Sequence, residues 1–121
     1  MTRSDHQRIG ALGERLAADH LRRDVMRVLD RNWRCRAGEL DIVAADASCV
    51  VFCEVKTRRS VRFGGPLSAV TTDKANRLKR LAKLWQRERR PRSGARRFDV
   101  VCVWLSRDER FAAIRHRKGA L

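Results

Sequence analysis

Four residues have the types and spacing to do chemistry: Glu14, Asp41, Glu54 and Lys56. Glu54 and Lys56 stand two apart in a run that reads as a strand, so both side chains leave the same face. Their Cα atoms are then about 6.6 Å apart, with Val55 between them pointing into the other layer. Asp41 lies in Leu40-Asp41-Ile42-Val43, in the preceding strand candidate. Its apolar neighbours argue against an idle, solvent-facing aspartate. Two carboxylates and a lysine so placed suit a Mg²⁺ (or Mn²⁺) phosphodiesterase site. Mg²⁺ takes oxygen ligands and is held by one or two carboxylates plus water and substrate phosphate. Such a cation lowers the pKa of bound water and offsets charge developing in the transition state. Lys56 can orient that water or stabilise the anion.

Glu14 completes the set from a helix. It shares a stripe with Gly10, Ala11, Ala17, Ala18 and Leu21, small residues that let a helix backbone come close to a neighbour. A carboxylate there is dehydrated unless it has a cationic or metal partner. It could join the site through a water or a second metal. The bland alternative is that a D…E-x-K pattern arises by chance in so charged a chain, with Glu54 and Lys56 forming an ion pair at a strand end. Against it, three acids stand in apolar surroundings while the rest of the chain is dominated by arginine.

The elements that must position these residues follow from periodicity. A helix is expected from Asp5 to Arg23, capped by Ser4 or Asp5, with Arg8, Arg15, Asp19 and Arg22 on a narrow polar face and the remainder largely buried. Strands are expected over Met26–Arg36, Glu39–Ala45 and Cys49–Thr57. The continuous apolar run Val50-Val51-Phe52-Cys53 reads as a strand covered on both faces. Arg58–Thr72 reads as a loop punctuated by Gly64-Gly65-Pro66, and Ser68 within it could touch a phosphate. A second helix, Asp73–Arg89, has Thr72 as N-cap and an apolar stripe of Ala75, Leu78, Leu81, Ala82 and Trp85; Pro91 ends it. Phe98–Leu105 is a fourth strand and Arg110–Arg115 a short fifth. Trp33, Trp85 and Trp104 read as core residues. The order α-β-β-β-α-β implies an α/β fold, a mixed β-sheet flanked by helices, in a single domain spanning 1–121.

Charge points to the partner. The formal net charge is +15 and the pI near 11.4. A folded chain so basic is expected to meet a polyanion, nucleic acid first and an anionic membrane surface second. From Thr72 to Arg97 there are eleven Lys/Arg against only Asp73 and Glu88. Lys74, Arg77, Lys79, Arg80, Lys83 and Arg87 are the candidate phosphate contacts on the second helix, and Arg58 and Arg59 follow the candidate lysine directly. No base-reading motif is visible, so backbone or branched-structure recognition is the expectation.

Other chemistries are set aside. The cysteines Cys35, Cys49, Cys53 and Cys102 form no C-x-x-C pair, and His6, His20 and His116 are scattered, so no structural zinc site is expected. Asp99 reads as structural. Free, buried thiols and a polar, charged opening suit a reducing cytoplasm, and no apolar run reaches the roughly 20 residues that span a bilayer.

At the level of motifs, Leu12-Gly13-Glu14, Asn32-Trp33-Arg34-Cys35, Gly38-Glu39-Leu40-Asp41-Ile42-Val43-Ala44, Val51-Phe52-Cys53-Glu54-Val55-Lys56-Thr57-Arg58 and Arg97-Phe98-Asp99-Val100-Val101 together resemble the bacterial YraN family. That family is similar to archaeal Holliday-junction resolvases, within the PD-(D/E)xK nuclease superfamily. The resemblance covers nearly the whole chain and implies a restriction-endonuclease-like core. It makes Asp41 and Glu54 the metal carboxylates, Lys56 the catalytic lysine and Glu14 the helix carboxylate of the resolvase branch. Leu40 stands where the superfamily's name places a proline. The function so implied is a divalent-metal-dependent endonuclease on structured or branched DNA, with a homodimer supplying the two cuts a junction needs. The alternatives are a non-catalytic nucleic-acid-binding module on a nuclease scaffold and, third, a basic adaptor for a protein or membrane.

Overall fold

The computed structural model describes residues 2–59, 71–92 and 94–120 and, of residue 112, the backbone alone. Its elements are α1 (Arg3–Arg23), β1 (Arg27–Cys35), β2 (Gly38–Ala45), β3 (Val50–Arg59), α2 (Thr72–Arg89), β4 (Arg96–Leu105) and β5 (Phe111–Arg117). The strands form one sheet in the order β1-β2-β3-β4-β5. The first three make an antiparallel meander, β4 runs parallel to β3, and β5 returns antiparallel. A parallel neighbour needs a crossover, and α2 falls within the connection from β3 to β4. This mixed sheet with its two helices is consistent with a restriction-endonuclease-like core.

The strand alternation sorts the core into two layers. Ile42, Ala44, Val51, Cys53, Val101 and Val103 pack with Ala17, Ala18 and Leu21 of α1. Val43, Val50, Phe52 and Phe98 pack with Leu78, Leu81, Ala82 and Trp85 of α2. Consecutive residues of β3 thus enter opposite layers, as the continuous apolar run predicts. Phe52 sits at the centre of the α2 layer, edge-on to Trp85 and stacked on Phe98. In β2 the alternation breaks once. Leu40 and Val43, three apart, share the α2 layer, and the irregularity falls at Asp41-Ile42.

Several boundaries differ from the sequence reading for local reasons. Thr2, rather than Ser4 or Asp5, caps α1, in a capping box with Asp5 at the third helical position. Thr71, rather than Thr72, caps α2 and accepts from the Lys74 amide at 3.1 Å. The helix α1 is buried on one face only, through Ile9, Gly13, Ala17, Ala18 and Leu21, while Ala11 is exposed. It comes close to the sheet at Gly13, where a Cβ would lie 2.8 Å from Thr57 Cβ. The loop expected over Arg58–Thr72 lies mostly outside the described residues, Gly64-Gly65-Pro66 and Ser68 included. At its ends, β3 continues to Arg59 and α2 begins at Thr72. Arg90 takes a left-handed conformation and closes α2 just before Pro91.

Candidate active site

The site forms where the β2–β3 ladder opens. Ile42 pairs with Cys53, and pairing proceeds from there toward Ala45 and Val50. Asp41 and Glu54 are the next residue on each strand, and they are not paired through the backbone. Instead the Asp41 carboxylate accepts the Val55 N–H at 2.8 Å. A side chain thus satisfies a backbone donor that the open ladder would leave without a partner. The same contact fixes Asp41 in the fork, within electrostatic reach of Glu54, Glu14 and Glu39.

The carboxylates have different environments. Burial, then the nearby Glu54 charge, pushes the Asp41 carboxyl up to about 7, and the Val55 hydrogen bond offsets only part of this. Glu14 is also raised, first by burial and also by Glu39, against a hydrogen bond from Asn32 that favours its charged form. Glu54 is ion-paired with Lys74, Nζ to Oε1 at 2.7 Å. Lys56 is half-buried on the α2 side of β3 beside Cys102 of β4, its register partner. Burial lowers its pKa, and the cations Lys74 and Arg58 lower it further.

Asp41 therefore lies within electrostatic reach of Glu54 and of Glu14 from α1, and Lys56 within reach of Glu54 on the α2 side of the sheet. Among the described residues no group of three or more His, Cys, Asp or Glu side chains is close enough to hold a metal ion together. A Mg²⁺ site does not require three, because one or two carboxylates suffice when water and substrate phosphate fill the other positions. A buried carboxylate whose proton affinity is raised by burial and by a neighbouring carboxylate forms with it a donor set that a divalent cation would satisfy. Asp41 and Glu54 offer such a pair, and Glu14 acts on Asp41 electrostatically from α1.

The basic residues divide. Arg77, Lys79, Arg80, Lys83 and Arg87 are all exposed on α2. Lys74 is half-buried and turned to Glu54, a partner that the sequence reading does not assign to it. Its place in the first helical turn is the signal that could have found this, since a cation there opposes the helix dipole. Arg59 donates to the Arg107 carbonyl at 2.6 and 3.0 Å and pairs with Glu109 at 3.7 Å, which ties β3 to the β4–β5 turn. Arg58 is exposed next to Lys56. Asn32 and Glu39 also belong to the electrostatics of the site; the sequence places both in motifs of the family resemblance but assigns neither a role.

Away from the site, Asp99 is only 1% exposed and serves structure. Although burial works against its charge, hydrogen bonds from His116, Arg97 and the Gly119 N–H hold its pKa at about 2. Two of the histidines that look scattered in sequence meet here, His20 Nε2 lying 3.1 Å from His116 Nδ1. All four cysteines are free thiols; Cys53 and Cys102 are buried and the other two partly so.

Residues 13–103 match the model of a family described as "Uncharacterised protein family UPF0102". The chain belongs to this family. A UPF0102 protein of Mycolicibacterium vanbaalenii is 53% identical over 111 residues, covering 92% of this chain and 91% of the relative. One from Acidothermus cellulolyticus is 47% identical over 129 residues, covering 98% and 97%. One from Streptomyces griseus is 53% identical over 100 residues, covering 82% and 84%. The UPF0102 match begins one residue before Glu14 and extends past Cys102, so every candidate residue falls inside the segment that defines the family. No helix among the described residues is long and apolar enough to cross a membrane.

Proposed function

We propose that this UPF0102 protein is a divalent-cation-dependent endonuclease that hydrolyses phosphodiester bonds in structured or branched DNA. The observation that carries the reading is the opened β2–β3 ladder, with Asp41 fixed in the fork beside Glu54 and raised to about 7. Holding like charges in a half-buried fork costs stability, and a site for a cation accounts for that cost. The resemblance to PD-(D/E)xK nucleases assigns the same residues.

Asp41 and Glu54 would hold Mg²⁺ or Mn²⁺, with Glu14 hydrogen-bonded through water. When bound, the cation would supply an acidified water and a counter-charge for the scissile phosphate. Lys56 lies on the same face as Glu54, where its ammonium can orient the attacking water and stabilise the developing anion. Its lowered pKa also lets it exchange a proton more readily than an ordinary surface lysine. The exposed cations of α2 would bind the DNA backbone, which matches a protein with no base-reading motif. Resolution of a junction would further call for a homodimer, so that two strands are cut.

The test is cleavage of labelled four-way junction, flap, duplex and single-stranded DNA with Mg²⁺, Mn²⁺ or EDTA. Cutting should require the cation and fall by about 10²-fold or more in Lys56→Ala, with DNA affinity retained. The Lys74–Glu54 ion pair favours one other reading, a non-catalytic nucleic-acid-binding module, because Glu54 already has a cationic partner. Binding on all substrates with no cutting on any would establish that reading instead.

A further inference from the structure

Lys74 is in an unfavourable place for a lysine. Thr71 caps α2, so Lys74 is the third helical residue, in a turn whose N–H groups carry partial positive charge. An acid is the favoured type there, and Asp73 beside it meets that preference. What holds the ammonium is Glu54, at 2.7 Å, one of the two carboxylates assigned above to the cation. The same lysine also lines a cavity of about 590 Å³ beside the first turns of α2, together with Arg77, Arg80, Thr71 and one acid, Asp73, so that cations outnumber carboxylates there. Lys74 therefore lies between a carboxylate on one side and a cationic cleft on the other.

We infer that Lys74 is a positioning residue that exchanges partners, neutralising Glu54 in the cation-free protein and turning to a DNA phosphate in the cleft when a divalent cation takes Glu54. This rests on the metal-site reading given above and adds to it a coupling between the two ligands. An ammonium and a divalent cation compete for the same carboxylate oxygens. Cation binding releases Lys74 into a cleft already lined by Arg77 and Arg80, where a phosphate gains a third cationic partner. By linkage, DNA must then raise the affinity for the cation by the same factor. A lysine suits this better than an arginine fixed in bidentate geometry, because its flexible stem reaches either partner.

The full-length chain, wild type and Lys74→Gln, would be titrated with Mn²⁺ by calorimetry. Binding of a labelled DNA junction would be followed by fluorescence anisotropy in Ca²⁺ and in EDTA. Without the competing ammonium, Mn²⁺ binding should tighten about fivefold in Lys74→Gln, while Lys74→Arg, which keeps a competing cation, should show no tightening. DNA affinity of Lys74→Gln should be within about twofold of wild type in EDTA and about fivefold weaker in Ca²⁺. Arg77→Gln, which removes a plain phosphate-binding cation, should weaken DNA binding equally in both. Unchanged or weaker Mn²⁺ binding in Lys74→Gln, or equal weakening of DNA binding with and without Ca²⁺, overturns the exchange and leaves the metal site standing. If neither wild type nor Lys74→Gln binds Mn²⁺, the metal-site reading falls and takes the exchange with it.

Discussion

Asp41 is the residue whose behaviour is least ordinary, and its titration gives a direct test. Its carboxyl is raised to about 7 by burial and by Glu54, against an ordinary aspartate value of 3.8. Between those two pH values the folded chain holds a proton that the unfolded chain has released. Stability contributed by this group is therefore full below about pH 4, declines as pH rises, and is lost above about pH 7. Asp41→Asn imitates the protonated form and can still accept the Val55 N–H. Chemical denaturation in EDTA should find Asp41→Asn more stable than wild type at pH 8.5 by about 1–3 kcal/mol, and equal to it within about 0.5 kcal/mol near pH 4. Glu14 titrates in the same direction in both proteins, so the difference between them isolates Asp41. A less stable variant at pH 8.5 would mean that the fork holds Asp41 ionised at no cost. At this scale the sequence is informative where a charge interrupts an apolar strand: Asp41 and Glu54 both stand out by that contrast. The roles of Asn32, Glu39 and Lys74 do not show in this way, because they come from contacts made between different elements.

Among the elements, the packing of α1 on β3 sets how close Glu14 comes to the carboxylates. Gly13, the residue before Glu14, is the contact point, and a Cβ there would meet Thr57 Cβ at 2.8 Å. Gly13→Ala must therefore push α1 away from the sheet or displace Thr57, at a cost of about 1–3 kcal/mol by thermal or urea denaturation. Cutting should fall along with stability, since the displacement moves Glu14 as well. Gly10→Ala, where a Cβ meets nothing within 4 Å, should instead stabilise the helix by about 0.5–1 kcal/mol. The contrast between these two glycines is beyond the sequence, which places Gly10 on the close-approach stripe because helical phase is uncertain by a residue or so. The strands are more legible. Runs such as Val50–Cys53 and Val100–Leu105 are apolar enough to be read directly, and β5 proves longer than expected because its pairing with β4 continues to Arg117. The helix caps are ambiguous in sequence where Thr2 and Thr71 compete with nearby residues of the same type, and only backbone geometry separates them.

For the whole molecule, the governing quantity is a formal charge of +15 and its distribution. Arg77, Arg80, Lys83 and Arg87 are exposed along α2. The helix begins beside the carboxylate fork, where Lys74 meets Glu54, and runs away from it, so a bound backbone would be led toward the site. Replacing all four with glutamine should weaken DNA binding and flatten the dependence of log Kobs on log salt by about 0.9 for each phosphate that is no longer neutralised. If all four cations meet a phosphate, the slope falls by about 3 to 4 in duplex DNA. The drop in affinity should be similar for junction and duplex, since phosphate binding carries no sequence information. A variant with an unchanged slope would place the DNA on another face and leave the basic side of α2 as solubilising charge. A variant with a reduced slope but intact metal-dependent cutting at low salt would separate the two functions of the molecule. DNA capture would then belong to α2, and chemistry to the fork between β2 and β3.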